Sequence, residues 1–185
     1  EGDEFFVRNL AEELELKLFT GRANVKDFAR RKHLNLEEAA RLKRYEFLKK
    51  AAGKFKADYI LTAHTMTDQA ETVLMKIFRG TGLEGLQGIR LKAENIVRPL
   101  LCFERQELED YLRENHFGFR QDETNEDERF LRNKIRLKLI PLLEKEFDPA
   151  ITAHLAEAAL IAQGENEALS QTVEKIWPRV TRGGS

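Results

Sequence analysis

The densest run of chemically capable side chains in these 185 residues is His64-Thr65-Met66-Thr67-Asp68-Gln69-Ala70-Glu71-Thr72. The short apolar run Tyr59 to Ala63 precedes it and reads as a buried strand. Ala70, Val73, Leu74, Ile77 and Phe78 then follow the i, i+3, i+4, i+7, i+8 template of a helix that Thr67 can cap. A strand giving way to a helix is the edge at which α/β proteins gather ligands. Asp68 and Glu71 are three apart in the first helical turn, so they share a face, opposite the apolar stripe. Two carboxylates held this way suit a cation, either a magnesium ion or the ammonium group of an amine substrate. Acids at a helix N-terminus also simply favour the macrodipole, and spacing alone leaves that reading open. His64, at the strand end, can contact phosphate or orient a reacting group. Gln69 and Thr72 add nothing decisive.

The second cluster is Arg129-Phe130-Leu131-Arg132-Asn133-Lys134-Ile135-Arg136. On a helix Arg129, Arg132, Asn133 and Arg136 fall within about a third of the circumference. Three guanidiniums on one stripe form a site for phosphates, from ATP or from an RNA backbone. A solvated face paired with Asp122, Glu123, Glu126 and Asp127 is the competing reading. Arg98-Pro99 places a further cation at a strand end. Gly80-Thr81-Gly82-Leu83-Glu84-Gly85 matches G-x-G-x-x-G letter for letter, but it follows a helix where the dinucleotide fingerprint must follow a strand. A turn bringing backbone close to a ligand or a neighbouring element fits it better. The single cysteine, Cys102, excludes a disulfide, a cysteine-based zinc site or a redox pair among these residues, and reads as a small buried side chain. No metal ligands are assigned.

Helices alternating with short β-like runs must position these groups, which argues an α/β fold. A first helix runs from about Asp3 to Glu15, and a short apolar run, Leu16 to Thr20, ends at Gly21. Asn35 caps the next helix with Glu38 three residues on, and Leu36, Ala40, Phe47 and Ala51 form one narrow stripe at ~100° per residue. Beyond the helix of Asp68, a glycine-rich segment leads to a strand around Asn95 to Arg98. Glu104 to Asn115 reads as a helix and Phe117 to Gln121 as extended. A polar loop from Asp122 to Asp127 precedes a basic helix that ends or kinks before Pro141. Asp148-Pro149 marks a boundary, with a catalytic domain over 1–149 and a helical, alanine-rich appendage over 150–185. Basic residues number 31 against 32 acidic, so bulk charge lends an RNA partner no support and only local clustering can. The apolar stretches are too short to cross a bilayer and the N-terminus has no basic region of a signal peptide. The expected address is the cytoplasm.

Taken together and in order, these segments resemble the tRNA(Ile)-lysidine synthetase family of N-type ATP pyrophosphatases. Ala63-His64 to Thr72, Arg79-Gly80-Thr81-Gly82-Leu83 with Gly85-Leu86, Arg98-Pro99-Leu100-Leu101, Asp122-Glu123-Thr124-Asn125, Arg132-Asn133-Lys134-Ile135-Arg136 and Pro141 follow one another as in that family. Leu36-Glu37-Glu38-Ala39-Ala40-Arg41 with Arg44-Tyr45 also matches. The likeness spans about residues 1–149 and weakens from Ala150. It implies part of a parallel-sheet, Rossmann-like nucleotide-hydrolase domain followed by a helical C-terminal segment. It implies ATP and Mg2+ as cofactors, and as substrates L-lysine and the isoleucine tRNA with a CAU anticodon. In that reading Asp68 and Glu71 bind lysine and support its transfer. His64, Arg98 and Arg136 meet ATP, Arg136 acts in catalysis, and Arg129, Arg132 and Asn133 meet the tRNA. The family's phosphate-binding S-G-G-x-D-S motif has no counterpart here, so the sequence reads as a piece lacking the first strands. A separate N-terminal segment or a homodimer stays open as a partner. The competing readings are a non-catalytic RNA-binding fragment and a cytidine-directed tRNA sulfurtransferase, the latter disfavoured by the lone cysteine.

Overall fold

The computed structural model describes residues 2–120 and 130–181. The chain divides into two compact units, Glu1–Ile60 and Leu61–Ser185. The first is helical, with α1 (Gly2–Glu13), α2 (Val25–Lys32) and α3 (Leu36–Phe55). Both later helices start on asparagine caps. Asn24 accepts a hydrogen bond from the Asp27 amide at 3.1 Å, and Asn35 accepts one from the Glu38 amide at 2.8 Å, as Asn35-x-x-Glu38 predicts. Both end on left-handed residues, His33 and Lys56. Helix α2 packs on α3, and each supplies a buried alanine, Ala29 and Ala39. The predicted core stripe is kept in part: Ala40, Phe47 and Ala51 are half-buried, whereas Leu36 is 46% exposed and the fully buried residue is Ala39. The apolar run Leu16 to Thr20 forms no strand. Its Phe19 ring stacks on Phe47 of α3 at 5.2 Å between centroids, and Gly21 lies against the same ring, where a Cβ would approach within 2.6 Å.

The second unit holds the sheet and the remaining helices. Strands β1 (Ile60–Leu61), β2 (Lys92–Ala93) and β3 (Ile96–Val97) lie in the order β1-β3-β2, the division between the units falling within β1. β2 and β3 are antiparallel, with Lys92 opposite Val97 and Ala93 opposite Ile96. Two residues, Glu94 and Asn95, join them, and only an antiparallel pair can be closed by so short a turn. Asn95 therefore belongs to the turn and not to the predicted strand. The mixed α/β class is as expected, while the described sheet is small and not all-parallel.

Helix α4 (Met66–Phe78) is the centre of this unit. Thr65 caps it, not Thr67, and a reciprocal box forms between Thr65 and Asp68. The short α5 (Leu83–Leu86) follows, then α6 (Arg105–Glu114), whose first turn is boxed by Glu104 and Glu107. The basic helix is continuous but deformed: α7 (Leu131–Lys134), a π turn over Ile135–Leu139, and α8 (Ile140–Glu146). Pro141 lacks an amide proton and its ring clashes with the carbonyl four residues back, so the wider turn just before it relieves the predicted kink. Ala70 and Leu74 of α4 form the core with Ile135 and Ile140, extended by Met75, Leu139, Leu143 and Leu155. Burying Ile135 and Ile140 stabilises this packing by about 2 kcal/mol each. The long α9 (Ile151–Thr181) lies along α4 and α5. No helix among the described residues is long and apolar enough to cross a membrane.

Candidate active site

Helix α4 meets the α7–α8 segment in a cluster of two carboxylates and two guanidiniums. Arg132 Nη2 donates to Asp68 Oδ1 at 2.6 Å, and its Nε donates to Glu71 Oε2 at 2.6 Å. Arg136 Nη2 donates to the same Asp68 oxygen at 3.3 Å, and its Nε to Glu71 Oε1. The four formal charges cancel. Spacing on α4 places Asp68 and Glu71 on one face, and spacing on the basic helix does the same for Arg132 and Arg136, one turn apart. The core of Ala70, Leu74, Ile135 and Ile140 presses these two faces together.

The two carboxylates differ in environment. Glu71 is fully buried, and each of its oxygens accepts from one arginine. That corrects the expectation that it lies on a face opposite the apolar stripe: α4 is covered on most of its circumference, with Gln69, Ala70, Glu71, Val73 and Leu74 all buried. Asp68 is at the rim. Its Oδ2 accepts from the Thr65 amide at 2.9 Å and from the Thr65 hydroxyl at 3.1 Å. Thr72, one turn on, donates its hydroxyl to the Asp68 carbonyl at 2.8 Å. Thus Asp68 both caps the helix and faces the two guanidiniums.

The remaining predicted residues fall less close together. His64 is half-buried, with Nδ1 3.0 Å from the Thr62 hydroxyl, at the end of β1 and one residue before the cap. The Thr62 amide donates to the Val97 carbonyl, which holds this strand end against β3. Arg98 is buried and donates from Nη1 to the Arg90 carbonyl at 2.7 Å, a bond that ties the β3 end to the segment before β2. Asn133 is half-buried beside Arg132 in α7. Arg129 and the loop acids Asp122, Glu123, Glu126 and Asp127 lie outside the described residues. Cys102 is exposed, its Sγ 3.8 Å from the Pro99 carbonyl, which overturns its reading as a buried side chain. The turn at Pro99–Phe103 lies on the surface, where a small side chain contributes nothing to the core.

Gln69 is the site-shaping residue that spacing passed over. Its amide pairs with the backbone of Ile89 in both directions, accepting the N–H at 2.6 Å and donating to the carbonyl at 3.1 Å. Gly88 precedes that contact with φ +57°, and a Cβ there would come within 2.6 Å of the Gln69 amide oxygen. Gln163 of α9 donates to the carbonyls of Gln87 and Ile89 from the other side. The backbone of Gln87–Ile89 is therefore pinned between α4 and α9, whereas Gly80 and Gly82 have open space at their Cβ positions and Gly85 meets only Thr81, so the close approach expected of Gly80–Gly85 falls instead at Gly88.

Among the described residues no group of three or more His, Cys, Asp or Glu could hold a metal ion. Asp68 and Glu71 face guanidiniums, so these residues do not by themselves fit a magnesium ion.

The site is thus an acid pair on the first turn of α4, locked to an arginine pair one turn apart, on an α/β frame. Residues 1–143 match the family model of the PP-loop domain, and the chain belongs to that family. Its curated relatives include tRNA(Ile)-lysidine synthases. It is 38% identical over 179 residues to tRNA(Ile)-lysidine synthase of Clostridium perfringens, covering 96% of this chain and 38% of the relative. It is 43% identical over 172 residues to tRNA(Ile)-lysidine synthase of Thermosipho africanus, covering 93% and 37%. It is 44% identical over 172 residues to that of Thermus thermophilus, covering 93% and 33%. The similarity runs well past residue 149, further than the motifs alone indicate. The chain spans 33% to 38% of the length of these relatives.

Proposed function

We propose that this chain is the part of a tRNA(Ile)-lysidine synthase that holds the amine and orients the phosphates while lysine is attached to the tRNA, in the cytoplasm. The observation that carries the reading is the Asp68–Glu71–Arg132–Arg136 cluster, in a chain whose curated relatives bear that name. The family chemistry has two steps. The O2 oxygen of the wobble cytidine attacks the α-phosphorus of ATP and pyrophosphate leaves. The lysine amine then attacks C2, loses a proton, and AMP departs with the former O2.

Each step asks for one half of the cluster. Arg132 and Arg136 retain 31% and 22% of their side-chain exposure, so both can turn from carboxylate to phosphate without leaving the cluster. Guanidiniums already ordered by Glu71 meet the charge developing on the transferring phosphate at little reorganisation cost. Their turning uncovers Asp68, whose carboxylate then attracts the lysine ammonium and accepts its proton. Glu71, buried beneath both arginines, acts as a positioning residue here and not as a direct lysine ligand. His64, at the strand end, meets the nucleotide. Arg98 keeps the strand end in place, and Asn133 beside Arg132 faces the tRNA. ATP supplies the adenylyl group and the family uses it with Mg2+. No step above depends on the metal. The full parallel nucleotide-hydrolase sheet is the architecture we infer for the whole enzyme.

The test is transfer of radiolabelled lysine to the isoleucine tRNA with a CAU anticodon, using the chain joined to the family's S-G-G-x-D-S segment. We expect ATP-dependent label that falls at least about a hundredfold in Asp68→Ala, the usual scale for removing one acid–base group. Binding of the tRNA without label transfer in the joined protein would overturn the assignment and favour a non-catalytic RNA-binding role.

A further inference from the structure

The near-neutral charge of the whole chain conceals a strong segregation. Residues 22–56, which hold α2 and α3, contain twelve Lys and Arg against four Asp and Glu, a net charge of +8. The rest of the chain contains nineteen against twenty-eight, a net of −9. Eleven of the twelve basic residues are exposed, Lys43 being the exception. The four acids do little to offset them. Asp27 is engaged by Arg30 and by the Asn24 cap, and Glu46 by Lys43 at 2.7 Å. The hydrogen bond from Lys43 holds the Glu46 carboxyl below the usual carboxylate range. Glu37 and Glu38 occupy the first turn of α3, where they face the positive end of the helix dipole. Among the described residues of this unit no basic side chain is buried. The α2–α3 pair is held by buried Ala29 and Ala39, and its cations lie on the surface.

We propose that the α2–α3 pair is a landing surface for the phosphate backbone of the RNA substrate. The inference rests on the tRNA reading above and adds where the RNA is held. A surface of this net charge matches a polyanion with one charge per nucleotide. The mixture of lysines and arginines, without a planar binding pocket, fits backbone attraction and not base readout. The residues are not those of the Asp68–Arg136 cluster, so docking and chemistry are separable by mutation.

The experiment is the salt dependence of binding of a CAU-anticodon tRNA transcript to the 185-residue chain. It compares the wild type with a variant carrying Lys26→Gln, Arg31→Gln, Lys32→Gln and Lys50→Gln, all exposed positions. A matched control carries Lys17→Gln, Lys76→Gln, Lys145→Gln and Lys175→Gln, which changes net charge equally but lies elsewhere. Each lost phosphate contact lowers the slope of log K against log salt by about 0.7–0.9. We expect the α2–α3 variant to lose about 3 units of slope and to bind at least about tenfold more weakly at 0.1 M salt. The control should move the slope by less than a third of that. Equal effects from both variants, or an unchanged slope in the first, would overturn the surface while leaving the tRNA reading intact. Failure of the wild-type chain to bind the transcript at low salt would overturn the reading itself.

Discussion

A carboxylate without solvent exposure persists only when its charge is matched and its oxygens accept hydrogen bonds, and Glu71 meets both conditions through Arg132 and Arg136. Removing it leaves the Nε groups of two guanidiniums without their carboxylate and both arginines sharing one Asp68 oxygen. Breaking a buried pair by deleting one partner costs about 3–5 kcal/mol, and the partial exposure of the arginines places Glu71→Ala near about 3 kcal/mol. Urea denaturation should show that loss as a lowered midpoint with unchanged slope. Asp68→Asn keeps an oxygen for the Thr65 amide and lies nearer to solvent, so it should cost less than half as much, while on the proposed function it abolishes lysine transfer by the joined protein. Equal costs would mean that the two carboxylates are equivalent structural partners and that Asp68 has no separate task. The pairing itself was only half legible. Spacing shows two acids on one face and two arginines on another, but nothing local says that faces some sixty residues apart meet, so solvated alternatives stood. Opposite charge on two helix faces, each beside an apolar stripe, was the available signal.

At the scale of elements, the segment between α4 and α9 depends on one backbone conformation. Gly88 has φ +57°, and any Cβ there meets the Gln69 amide that holds Ile89. Gly88→Ala should therefore cost about 2 kcal/mol, combining the left-handed strain with displacement of a buried amide. Gly82→Ala, with negative φ and open space at its Cβ, should cost less than about 0.5 kcal/mol. Thermal melting of the two variants checks the difference, and similar melting points would show that the Gln69–Ile89 contact contributes little. Helix α4, the Asn35 cap and the disturbance before Pro141 were readable because their causes are local: periodicity, a side-chain acceptor and a missing amide proton. The cap of α4 was misplaced by two residues, although Thr65-x-x-Asp68 carries the signature of a reciprocal box and Thr67 does not. The hairpin of β2 and β3 was missed because each strand is two residues long, too short for alternation to register.

For the molecule as a whole, the opposed charges of residues 22–56 and of the remainder bear on how copies behave together. Near the sequence pI of about 6.5 the net charge vanishes, but the two regions stay strongly charged and complementary. Attraction between the basic region of one copy and the acidic regions of another is then opposed by no net repulsion. Such attraction acts over a Debye length of about 30 Å at 0.01 M salt and about 8 Å at 0.15 M, so salt should weaken it steeply. The second half of α9 offers a different attraction, since Leu169, Val173, Ile176 and Val180 recur at spacings of four, three and four and are all exposed. That apolar stripe continues the positions at which Leu155, Ala159 and Ala162 turn inward. Contact through it is strengthened by excluded salts such as sulfate. Light scattering at pH 6.5 separates the two forces. The charge segregation predicts strong scattering in 0.01 M sodium chloride that falls as salt is raised to 0.15 M, and that falls likewise in the Lys26, Arg31, Lys32, Lys50 glutamine variant at low salt. Scattering that is indifferent to sodium chloride and grows with sodium sulfate would assign the association to α9, and would leave the basic surface to the RNA alone.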